Sequence, residues 1–128
     1  MLKPIIMNRQ FDEEEFARIS VDTRMAWHRL THGEGTEPDF DLIANSSNIA
    51  LVKAEELGEL AVETVLRAQK AILDMQARYK RTGRFGADSD ALAYVPEMLD
   101  FYDQLVALSS PKSMVDALEV TIKRMRMQ

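Results

Sequence analysis

Apolar residues recur along this chain with a helical spacing almost throughout. Phe16, Ile19, Thr23, Trp27 and Leu30 follow steps of three and four, which places them on one stripe of a helix over 12–32. The acidic run Asp12, Glu13, Glu14, Glu15 occupies its first turn, where negative charge suits the helix dipole. His32 followed by Gly33 supplies the stop. A loop over 33–39 comes next, then a short helix near Phe40 capped by Asp39 or Asp41. The cluster Asn45, Ser46, Ser47, Asn48 either bends the chain or caps a new helix at Ser47.

From Asn48 to Arg81 only Gly58 interrupts a run rich in Ala, Leu, Glu, Gln, Lys and Arg, so the spacing predicts one helix of ~50 Å. Leu51, Gly58, Val65, Ile72 and Tyr79 recur every seven residues, and Ala54, Ala61, Ala68 and Met75 recur three places later. Small residues at alternate seam positions let a second helix approach closely. Ala54, Gly58, Ala61, Val65 and Ala68 therefore form either part of the chain's own core or the candidate interface with a second chain. Leu57, Leu60, Val62, Leu66 and Leu73 widen the apolar surface beyond that seam.

Asp88, Ser89 or Asp90 caps a further helix with Leu92, Val95, Leu99, Tyr102 and Val106 inward, kinked or restarted at Pro96. Ser110 and Pro111 open the last one, with Met114 or Val115, Leu118, Ile122 and Met125 inward. No segment alternates with period two. The expected fold is all-α: an antiparallel bundle of four main helices around one long central helix at about 48–81. It forms a single domain over 11–128, preceded by an N-terminal arm over 1–10 that carries Leu2, Ile5, Ile6 and Met7.

Composition narrows the class. The 128 residues are 46% hydrophobic and 29% charged with no cysteine, which excludes a disulfide scaffold and a disordered chain. No apolar run approaches the roughly 20 residues that cross a bilayer, so no membrane partner is expected. The absent cysteines, with no signal-peptide core at the start, favour the cytoplasm. A net charge of −5 argues against nucleic acid. Even so, Arg78, Lys80, Arg81 and Arg84 gather beside Tyr79 and Phe85 as a candidate basic patch. His28 and His32 share a helix face, yet these are the only 2 histidines and a metal site needs a third protein ligand. The charge is also segregated: Glu55, Glu56, Glu59 and Glu63 precede Arg67, Lys70, Arg78, Lys80 and Arg81. One end of the predicted helix is acidic and the other basic, a distribution that can guide self-association.

Glu55-Glu56-Leu57-Gly58-Glu59 and Glu97-Met98-Leu99-Asp100 resemble the EExxE and ExxD motifs of the MazG-type nucleotide pyrophosphohydrolases. The resemblance implies an all-α enzyme holding magnesium on Glu56, Glu59, Glu97 and Asp100. In a simple hairpin of the predicted helices, however, the two carboxylate pairs stand ~20 Å apart along the axis. That reading therefore requires a helix break or a partner chain. The preferred expectation is a non-catalytic interaction or accessory protein without a cofactor. It associates with itself or another protein through the long, broadly apolar helix.

Overall fold

The computed structural model describes residues 10–127. The apolar arm, with Leu2, Ile5, Ile6 and Met7, lies outside the described residues. Among the described residues there are five helices and no strand: α1 (Glu13–Thr31), α2 (Glu37–Leu57), α3 (Glu59–Thr82), α4 (Ser89–Leu108) and α5 (Pro111–Arg126).

Most boundaries follow from local chemistry. Asp12 accepts from the Glu15 amide while Glu15 reaches back to the Asp12 amide, a capping box that satisfies two orphan donors at the start of α1. Thr36 and Asp39 make the same reciprocal pair at α2. Asp88 and Ser110 cap α4 and α5, the latter with Pro111 in the first turn. Gly83 ends α3 at φ 74°, the left-handed conformation a helix stop uses.

The continuous helix expected over 48–81 is instead two helices that part at Gly58. Gly58 adopts φ 119° and ψ −178°, a backbone region essentially confined to glycine. The chain reverses there, and α3 runs back along α2. Near the middle of the hairpin the Gln69 amide donates to Asn48 Oδ1 at 3.0 Å. At its far end the Tyr79 hydroxyl donates to Glu37 Oε1 at 3.0 Å.

The segment before Asn48 belongs to α2. Ser46 and Ser47 do not break the helix, because their hydroxyls donate to the Leu42 and Ala44 carbonyls. Both are buried, and their small volume lets neighbouring helices come close.

Arg29 and Asp39 bridge the turn joining antiparallel α1 and α2. Arg24 ties α1 to Asp100 and Asp103 of α4. The helix that contacts all four others is α2, with α3 and α4 packed on each other and α1 on α4. One core results, centred on Leu30, Ile43, Val65, Met75, Val95, Met98, Leu99 and Val106, all nearly or fully buried. α4 passes through Pro96 as one helix rather than restarting there.

α5 packs on α2. Lys53 donates to Ser113 near its start, and Glu55 binds Arg124 near its end. Those α5 residues are three turns apart while their α2 partners are two residues apart, so α5 crosses α2. A crossing helix buries a narrow face: Met114, Ala117 and Thr121 are buried. Ile122 and Met125, expected inward, are 37% and 54% exposed.

Candidate interaction surface

The five residues expected to form an interface separate by environment. Ala54, Val65 and Ala68 are fully buried inside a single chain, where the α2–α3 hairpin brings them into its own core. Ala61 is half-buried and Gly58 is the exposed turn. The small residues serve close packing as expected, but the helices they bring together are α2 and α3 of one molecule. The exposed apolar surface of α3 lies elsewhere.

It lies on the outer flank of α3. Leu66 and Leu73 are 48% and 63% exposed, Val62 is partly buried against the core, and all three fall on one stripe at helical spacing. Beside this stripe a groove of about 500 Å³ opens between α3 and the end of α5. Phe40 and Ala44 of α2 line it together with Leu73 and Gln76 of α3, and Met125 closes the α5 side. A shallower apolar depression continues the stripe past Val62 and Leu66 to Gly58. Leu57 and Leu60 add exposed apolar surface at the turn itself.

Charge brackets the stripe. Glu59 and Glu63 are exposed at its start; Lys70, Lys80 and Arg81 are exposed in its second half. Glu63 pairs with Arg67 one turn on, at 3.0 Å. At the edge formed by α5, Arg124 grips Glu55 through both terminal guanidinium nitrogens at 2.6 and 2.9 Å. This contact holds the Glu55 carboxyl below the usual glutamate range.

The proposed metal ligands do not converge. A helix break does exist, but it falls between Glu56 and Glu59 and so places them on different helices. Asp100 is taken by Arg24 at 2.6 Å, with Asp103 and Ser20 completing a polar contact between α1 and α4. Among the described residues no three Asp, Glu, His or Cys side chains gather closely enough to share a metal ion. The motif residues types match those of the resembled family, whereas their placement does not supply its magnesium cage.

The basic patch is divided as well. Arg78 turns inward, donating to the Gly86 carbonyl at 3.0 Å and facing Asp88, so it fastens the α3–α4 connection. Phe85 stacks between Tyr79 and Phe40 at ring distances of 4.0 and 5.3 Å, closing that end of the bundle. Lys80, Arg81 and Arg84 remain exposed. His28 and His32 stack on each other at 3.9 Å.

Two titrations follow from this geometry. Asp39, gripped by Arg29 and bonded to Thr36, is held below the ordinary aspartate range. The Tyr102 phenol is pushed up by burial. A lowered carboxyl gives stability that is complete above its unfolded value of about 4 and lost as pH falls through the folded one. A raised phenol gives stability complete below about 10 and lost as pH rises through its folded value. The melting temperature is expected to be flat from about pH 5 to 9 and to fall on both sides. Asp39→Asn should flatten the acid limb in a pH series of thermal melts; an unchanged limb would contradict the assignment.

No family model, curated protein or solved structure matches this chain. Among the described residues, no helix is long and apolar enough to cross a membrane.

Proposed function

We propose that this chain is a small cytoplasmic interaction protein that has no catalytic role of its own and associates with itself through the outer flank of α3. The observation that carries the reading is the exposed pair Leu66 and Leu73, flanked by the partly buried Val62 and continued by Met125 across the groove. Side chains this large and contiguous cost free energy in water, and a rim of charge around them is the usual composition of a protein-binding patch. The cytoplasmic setting rests on the cysteine-free composition.

Light scattering on purified protein, with and without Leu66→Glu plus Leu73→Glu, tests this. The unaltered chain is expected to scatter as more than one copy and the double variant as one copy, with the same helical circular dichroism. Equal masses for the two proteins would remove the α3 flank from the account.

A further inference from the structure

We infer that the partner on this flank is α3 of a second copy, lying antiparallel about a twofold axis between Gln69 and Lys70. This rests on the proposed self-association and adds its geometry.

The outer positions of α3 read Glu59, Val62, Leu66, Leu73, Ala77 and Lys80, with Gln69 and Lys70 at the centre. Their steps are the same counted from either end: three, four, then across the centre, four, three. A helix turned end over end therefore presents its positions at matching heights. Leu66 of one copy meets Leu73 of the other, and Val62 meets Ala77. Glu59 meets Lys80. Each pairing occurs twice, as a twofold interface requires.

Charge selects this orientation. The partner for this flank must be basic where α3 begins and acidic where α3 ends. α3 reversed has that order, because Glu59 and Glu63 stand at its start and Lys80 and Arg81 at its end. In a parallel pairing Glu59 would face Glu59 and Lys80 would face Lys80, which disfavours that arrangement. Leu66 and Leu73 lie one heptad apart and so stay on one seam through both turns. Met125, across the groove from Leu73, adds apolar surface beside this seam.

The chain has no cysteine, so single cysteines report the register without background. Leu66→Cys and Leu73→Cys are made separately; both sites are exposed and neither substitution disturbs the core. Oxidised alone, each is expected to remain uncrosslinked. Mixed, the two are expected to form a covalent dimer on a non-reducing gel. Crosslinking of either variant alone to the same yield as the mixture would overturn the antiparallel register. So would absence of crosslinking in a mixture that light scattering records as dimeric. A sample that scatters as one copy instead rejects the self-association beneath it, so the two failures are separable.

Charge reversal gives a second readout. Lys80→Glu is expected to weaken association about tenfold by setting acid against Glu59 twice, and Glu59→Lys in the same chain to restore it. A double variant no tighter than Lys80→Glu alone would contradict the pairing.

Discussion

Gly58→Ala is expected to destabilise the chain by about 1–3 kcal/mol, although the position is exposed and a methyl group there meets nothing within 4 Å. The cost is in the backbone. At φ 119° and ψ −178° an L side chain is strained whatever the surrounding space. Alanine also favours an uninterrupted helix by about 1 kcal/mol over glycine, so it stabilises the straight form that the hairpin excludes.

A straight helix over 48–81 separates α2 from α3 and uncovers Ala54, Val65 and Ala68. Only a second chain in the same state can cover them again. Exchange of helices between two copies is thus the expected product at high concentration, alongside a lower urea midpoint. Denaturation curves and chromatography of Gly58→Ala measure both. A variant as stable as the unaltered chain would mean that the turn does not depend on glycine.

Leu30→Ala is expected to cost about 2–5 kcal/mol, the range for emptying a fully enclosed leucine site. Leu30 is 0% exposed in the last turn of α1 and packs within the shared core. Leu73→Ala removes the same atoms from a side chain that is 63% exposed and should change stability by less than about 0.5 kcal/mol. The two substitutions should exchange roles in association. Leu73→Ala should weaken the proposed self-association while leaving the fold intact, whereas Leu30→Ala should loosen the fold without touching α3's outer flank. Comparable loss of stability from both would contradict the assignment of Leu73 to the surface.

The helices themselves were legible in the sequence because their ends are written locally. Asp12 with Glu15, Asp88, and Ser110 with Pro111 announce starts through side-chain oxygens placed for the free amides. Gly58 was visible but ambiguous. Its flanking residues are good helix formers, the seven-residue repeat passes through it, and a mid-helix glycine costs only about 1 kcal/mol. What decides for a turn is burial gained when α3 folds back on α2, a tertiary effect absent from local spacing. The same decision settles Ala54, Val65 and Ala68 in the core, one of the two places their spacing allows.

The exposed apolar stripe of α3 was present in the pattern. Leu66 and Leu73 already stood outside the main seam, as surplus apolar residues on an amphipathic helix. They stay exposed because α5 packs on α2 rather than along α3. Ile122 and Met125 were misplaced for that reason: periodicity identifies an apolar face but not how many neighbours cover it. The acidic motifs failed differently. Motif spacing assumes that Glu56 and Glu59 share a helix, and the turn between them removes that premise.

Self-association through α3 is the central claim, and sedimentation equilibrium of the unaltered chain across a concentration series tests it most directly. The predicted result is a mass rising toward twice the 14.6 kDa of one chain, with no larger species, as a closed twofold interface demands. A mass that stays at one chain through high micromolar concentration would contradict it.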